Sequence, residues 1–526
     1  MEEYLVGIDF GACNLKAAQF DGKKFRTIQL NADASGIKHT PNFIYYRQNK
    51  KSDGIEKIIG QSAINNSLTD TQQNFVANVK RKLEILNWQK SIPVLNKNLT
   101  AQEVISDIFT CMQKYFRPNG KQIRAVLTVP VAFSKVQRQS IRTAAENAGL
   151  IVDSLITEPF AALMSLKDLE SYAGKLIMIY DFGGSTLDVS VAKIVSDGGV
   201  LKIHEQAAAG IKLGGLDIDR DIFEKILMRD YKAEFDATYQ DYTNRQEYFL
   251  RFAQDLKEML FSSGDDEVEA GDLEKCITGL EDIILKKADV EEMFATGDYK
   301  AQIFKMLDAL FEDLEESDDF YQKDDIAKIF PFGGTCQIPF FVDILQEYFG
   351  ADIFNKDDFD FADTDILMPG LESRYLAVAG GAVKYLMSKL EGSSIDIVNA
   401  IPYCIGFNQG GKFKRVLNRS MPFGYSKTVN LSLKNLQQNG WNFEIYQCFN
   451  NQTNFSLADN GDAVFVENVH LNSALYEKQD SPILEMRMTR EGKLQLKFQE
   501  YRNFDNGKKI SREAVPIEDF VIDMGC

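Results

Sequence analysis

The chain has 526 residues, with 59 Lys and Arg against 77 Asp and Glu, a net charge of −18. That balance argues against non-specific binding to nucleic acid or an anionic membrane, since both are polyanions. With 44% hydrophobic and 26% charged residues, the chain reads as globular and long enough for roughly two to four domains.

Seven scattered cysteines without a C-x-x-C pair, and only three histidines, argue against a zinc site and suit a reducing compartment. The acidic N-terminus "MEEYLVGIDFG" enters a strand at once, leaving no room for a signal peptide, and no run of ~18 apolar residues follows. A cytoplasmic location is expected.

The first predicted strand, Tyr4–Ile8, leads into Asp9-Phe10-Gly11 and a small-residue turn. A second strand follows, with apolar residues at Leu15 and Ala17 and, one step out of phase, Ala18 and Phe20. The segment "AVLTVPVAFSKVQRQSIRTAAENAGLIVDSLITEPFAALMSL" predicts strand 125–129, helix 134–148, strand 152–157 and a helix from Pro159. Ser134 is the N-cap of the 134–148 helix and Gly149 its stop.

The opening pattern then recurs. The strand Leu176–Tyr180 runs into Asp181-Phe182-Gly183, and Leu187, Val189, Val191 and Ile194 alternate after it. One Asp-Phe-Gly triplet suggests a protein kinase, whose copy holds magnesium. Two copies in matched surroundings suggest a duplicated architecture with two hairpins gripping one ligand. Backbone N–H groups of such small-residue turns can cradle phosphates, and the leading acid can hold hydrated Mg²⁺. Gly214-Gly215 opens a helix, and an acidic, helix-rich stretch runs from about 216 to 328. The strand Ile329–Phe332 leads into Gly333-Gly334-Thr335 and a helix from Ile338, and "LAVAGGAVKYL" reads as a small-residue helix suited to close packing. Residues 391–400 read as a linker. Beyond them, alternating residues and the turns Asn439-Gly440, Asn460-Gly461 and Asn506-Gly507 predict an all-β module.

The set "VGIDFGACN", "LTVPVAFSKVQRQSIRTAAENAGL", "ITEPFAALMSL", "IYDFGGSTLDVSV", "LGGLDID" and "FGGTCQIP" resembles, in family order, the 70-kDa heat-shock chaperones of the DnaK type. The resemblance implies an α/β, actin-like, two-lobed ATPase domain (a duplicated ribonuclease H-like fold) over residues 1–390. A linker over 391–400 and a β-sandwich holding unfolded peptide or a client over 401–526 would follow. The chain stops at Cys526 soon after the last strand-like run, so the family's helical lid is expected to be missing.

The implied ligands are ATP/ADP and Mg²⁺, with K⁺ as a further candidate ion. The implied partners are a client protein, a J-domain co-chaperone and a nucleotide exchange factor. By resemblance, Asp9 and Asp181 stand around hydrated Mg²⁺, and Lys80 orients the attacking water. Glu158 is a catalytic-core carboxylate, Thr186 a hydroxyl at the γ-phosphate, and Asp188 a proton or water partner. Gly11, Ala12, Cys13 and Asn14, then Gly183, Gly184 and Ser185, and also Gly214, Gly215, Lys257, Gly333, Gly334, Thr335 and Gln337, would line the nucleotide. Pro130 and Arg138 resemble a relay between domains.

Several positions depart from the family. Ala12 and Cys13 replace two threonines, and Ser185 replaces a glycine. Gln254, Glu258 and Phe261 replace Glu, Arg and Ser, Gln337 replaces a stacking arginine, and Arg374 stands where an acid is usual. The phosphate side is kept and the base side is rewritten. A nucleotide-gated scaffold or pseudo-ATPase is therefore the alternative to a working ATPase. A small-molecule kinase or filament protein of the actin-like superfamily is a third reading. In the linker, "IDIV" (395–398) reads either as a docking segment or as the first strand of the next module.

Overall fold

A computed structural model describes residues 3–524 except 21–23, 31–39, 50–53, 68–71, 86, 198–199, 239–245, 274–275, 316–320, 351–364, 369–370, 372–373, 391–394, 399–400, 402, 419–420, 422, 432–440, 449–455, 458–462, 472–482, 490–492 and 506–509. The three Asn-Gly turns expected in the C-terminal module lie outside the described residues, as do 391–394 and 399–400 of the expected linker.

Two sheets organise the first 400 residues, and they share a strand order. In the first, Glu3–Phe10 pairs antiparallel with Asn14–Phe20 and parallel with Gln122–Val129, with Phe25–Ile28 and Ile151–Thr157 outside. In the second, Leu176–Phe182 pairs antiparallel with Leu187–Asp197 and parallel with Ile326–Phe332, and Val200–Ile211 lies outside. The expected duplication is therefore present at the level of topology. Leu15, Ala17 and Ala18 are all buried. The Asn14–Phe20 strand is covered on both faces, which explains its broken alternation.

Two helices lie between the sheets. Glu158–Met164 and Ala377–Leu390 share one apolar cluster with Leu5, Val126 and Ile156 of the first sheet and Ile177, Ile179 and Phe332 of the second. The small residues of the second helix permit this approach. A Cβ on Gly381 would lie 1.7 Å from the Ala161 carbonyl oxygen, so only glycine fits.

The predicted helix at 134–148 runs over Lys135–Asn147 and is closed by a capping box. Ser134 Oγ accepts from the Gln137 N–H at 3.3 Å, and Gln137 Oε1 accepts from the Ser134 N–H at 2.9 Å. The acidic region holds the helices Gln246–Ser263, Lys287–Thr296 and Tyr299–Glu315. It also holds a small antiparallel ribbon, Glu267–Glu269 with Ile284–Lys286, that three-residue strands are too short to announce.

Ile395–Val398 is a strand, and it pairs parallel with Val200–Ile211, from Leu201↔Ile395 to His204↔Val398, at the open edge of the second sheet. It pairs with neither C-terminal sheet. Those are two four-stranded antiparallel sheets. Phe407, Phe443 and Ile445 of one share a core with Leu484, Leu496 and Phe498 of the other. Among the described residues from 401 to 524 there is no helix. Among the described residues of the whole chain, no helix is long and apolar enough to cross a membrane.

Candidate functional site

The two Asp-Phe-Gly turns open onto one cavity of about 550 Å³. Asp9 and Phe10 end the first strand, and Asp181 and Phe182 end the matching strand of the other sheet. Each aspartate is thus delivered to the cavity by a rigid strand, and the glycine after it begins the turn. The cavity is lined by Asp9, Gly11, Ala12, Cys13 and Asn14 on one side and by Asp181, Gly183, Gly184, Ser185 and Thr186 on the other.

The second turn is tied down by three contacts. Gly183 O accepts from the Gly215 N–H (3.1 Å) and from Thr335 Oγ1 (2.9 Å), while Gly184 O accepts from the Leu216 N–H (2.7 Å). The first turn is held by Asn42, whose side chain donates to Gly11 O and whose N–H donates to Cys13 O, both at 2.7 Å.

Lys80 and Glu158 meet at the cavity although they lie 78 residues apart. Lys80 is 2% exposed; its Nζ is 2.5 Å from Glu158 Oε1 and 5.5 Å from the Phe133 ring centroid. It belongs to the core, not to a solvated helix face. Glu158 opens its helix, followed by Pro159. Burial raises its pKa; the Lys80 ammonium opposes that rise and the Asp9 carboxylate adds to it.

Asp181 is pushed well above the usual carboxylate range, by burial first and then by Glu158, Asp188 and Asp9. Crowded carboxylates of this kind favour a bound cation. Among the described residues no group of three or more His, Cys, Asp or Glu side chains forms a metal cage. Asp9 and Asp181, facing one cavity, could instead hold a hydrated Mg²⁺, which would supply positive charge there.

Gly333, Gly334, Thr335, Gly215, Lys257 and Gln337 also line the cavity. Lys257 Nζ lies 2.6 Å from Asp219 Oδ1, a buried pair. On the same side Gln254 Nε2 donates to Glu258 Oε1 (2.7 Å), and Gln337 Nε2 donates to the Tyr375 hydroxyl. Arg374 is buried and donates to Pro331 O (3.4 Å). Burial pushes the Cys13 thiol up to about 12, so it is a neutral side chain at physiological pH.

Two residues expected at the nucleotide, Asp188 and Gly214, do not line the cavity, and the expected relay residues Pro130 and Arg138 lie outside it too. Gly214 is the N-cap of the Gly215–Asp221 helix. Asp188 is 1% exposed, with Oδ1 accepting from the Val131 N–H at 2.8 Å. It does not face solvent as plain strand alternation predicts. Arg138 is no surface arginine either. It is buried, and it donates to Phe133 O (3.0 Å), Val131 O (3.4 Å) and Pro130 O (3.5 Å). Beside it, the Lys135 N–H donates to Gln447 Oε1 in the C-terminal module at 3.3 Å.

Sequence reasoning missed Lys16, Asn42, Asp219 and Tyr375. Lys16 had a legible signal: it follows Asp9 at the same seven-residue spacing that separates Asp188 from Asp181. Asn42 and Tyr375 reach the site only through the fold.

A model of the Hsp70 protein family matches residues 5–454. Among curated proteins, the chain is 30% identical over 229 residues to the chaperone protein DnaK of Mycoplasmoides gallisepticum (strain R(low / passage 15 / clone 2)). That match takes in 42% of this chain and 36% of the relative, so the chain spans little more than a third of the curated relative's length.

Proposed function

This chain belongs to the Hsp70 family, and on that premise we propose that it is a DnaK-like chaperone that uses ATP and Mg²⁺ to control its hold on unfolded peptide or a client protein. The observation that carries the reading is the pair of Asp-Phe-Gly turns facing one cavity. Backbone N–H groups of Ala12–Asn14 and Gly184–Thr186 cradle the phosphates. Mg²⁺, when bound, neutralises and aligns the phosphate chain. Lys80, oriented by Glu158, holds the attacking water near the terminal phosphate, and Thr186 hydrogen-bonds that phosphate. Phosphoryl transfer to water needs positioning and charge more than covalent help, so this set suits a slow ATPase used as a timer.

Asp188, Val131, Pro130 and Arg138 form a bonded path from beneath the cavity to the helix whose first residue touches Gln447. We take that path as the route by which nucleotide state reaches the 401–526 domain, alongside the 391–400 linker that joins the two. A β-sandwich reading of that domain is supported by two sheets sharing one core. A J-domain co-chaperone and an exchange factor are the expected partners.

Limited proteolysis tests the coupling. ATP should slow cleavage within 391–400 relative to ADP, and an unchanged rate would count against it. A second reading, a nucleotide-gated scaffold without productive hydrolysis, is favoured by Ala12, which brings no hydroxyl to the cavity. Single-turnover hydrolysis separates the two. If wild type, Lys80→Ala and Asp181→Asn are equally slow, the scaffold stands.

A further inference from the structure

We propose that Lys16 is a resident cation of the nucleotide site: its ammonium binds the terminal phosphates directly and takes the place of a bound monovalent metal ion. The proposal rests on the ATP reading above. Lys16 lines the cavity together with Asp9, Asp181 and Glu158. Its Nζ lies 2.7 Å from Asp9 Oδ2, and its side chain is 16% exposed.

The register of the hairpins shows how unusual this residue is. In the first hairpin Asp9 stands opposite Lys16; in the second, Asp181 stands opposite Asp188. The two folds place the same position beside their leading aspartates. One fills it with an acid that does not line the cavity, the other with a base that does.

Charge then decides what the base is for. On the phosphate side, Asp9, Glu158 and Asp181 face the cavity, and Lys80 is already paired with Glu158. Lys257 is likewise paired with Asp219. A nucleoside triphosphate adds about four negative charges, which one Mg²⁺ only half neutralises. Lys16 supplies a further charge and three donors, of which Asp9 uses one. It also stands on the strand that follows the turn of Ala12, where the hydroxyl of the family's threonine is gone. A lysine that merely neutralised Asp9 would be indifferent to the ligand; a lysine that binds phosphate discriminates triphosphate from diphosphate.

The test is isothermal titration of ATP and of ADP into the full chain and into Lys16→Met. It is run with and without Mg²⁺, in K⁺, NH₄⁺ or choline chloride, with a melting curve for each protein. Wild type should bind ATP equally in K⁺ and choline. Lys16→Met should bind ATP at least about tenfold more weakly, the size of one charge-assisted hydrogen bond. It should bind ADP with a smaller loss, and K⁺ or NH₄⁺ should recover part of the ATP affinity. Equal ATP affinity in a folded Lys16→Met, or a K⁺ requirement in wild type, overturns the proposal. The wild-type arm decides even where the variant melts early. Wild type that binds neither nucleotide removes the ATP reading itself, a distinct result that takes this inference with it.

Discussion

The Cys13 side chain occupies the space that a side chain on Gly184 would need. A Cβ built on Gly184 would fall 2.2 Å from Cys13 Sγ and 3.0 Å from Cys13 Cβ. The two Asp-Phe-Gly turns, with Cys13 and Gly184 171 residues apart in sequence, are thus packed against each other through one thiol and one missing methyl. Gly184→Ala should force the turns apart and weaken nucleotide binding about tenfold or more. Cys13→Gly should restore much of that loss in the double variant, because it removes the atom that clashes. A titration-based double-mutant cycle with no coupling would show that the contact is immaterial.

Lys80 and Glu158 form a buried pair, so removing one partner strands the other. Lys80→Ala should cost about 3 kcal/mol of stability by chemical denaturation. It should also slow single-turnover hydrolysis by about a hundredfold or more. Adding Glu158→Gln should recover stability but not rate. Recovery of both would mean that the lysine only pairs with the acid.

Asp188 is raised to about 7, by burial first and by Glu158 next. Its folded-state pKa is above the ordinary aspartate value of about 3.8 in an unfolded chain. Its contribution to stability is therefore complete below about pH 4 and is lost as pH rises through 7. The nucleotide-free protein should therefore lose stability as pH rises across that window. Asp188→Asn keeps the oxygen that accepts from Val131 and removes the titration. It should flatten the stability profile between pH 4 and 8, read by urea melts; an unaltered slope would discount Asp188 as the cause.

Gly381 offers a purely steric test. Gly381→Ala places a methyl against the Ala161 carbonyl, with backbone on both sides and no rotamer to relieve it. We expect a loss of at least about 3 kcal/mol and a lower melting temperature. A near-neutral effect would mean that the two helices between the sheets can slide apart.

The hairpins were legible because their signal is local: an apolar run, Asp-Phe-Gly and small residues, used twice. The N-cap at Ser134 and the stop at Gly149 were legible for the same reason. The Lys80–Glu158 contact was not, since 78 residues separate the partners and only the fold joins them. Lys16 escaped notice because its strand is buried on both faces, so alternation could not single out a lysine as facing a ligand. Asp188 and Arg138 invite a surface reading by strand and helix periodicity. Each is buried because its polar atoms bond to backbone groups of Phe133, Pro130 and Val131. On the base side, the Gln337–Tyr375 contact joins two turns with no shared periodicity, and sequence could show that the pocket was rewritten but not with what.

The strand Ile395–Val398 has a consequence of energy scale. It is held at a sheet edge over four register positions. A net backbone hydrogen bond is worth about 1 kcal/mol, so the join amounts to only a few kcal/mol. Micromolar ligand binding is worth about 8 kcal/mol. A modest fraction of a ligand's affinity, if spent differently in the docked and released forms, is enough to tip such a join either way. Held at an edge over four positions, the strand can leave without unfolding the sheet behind it.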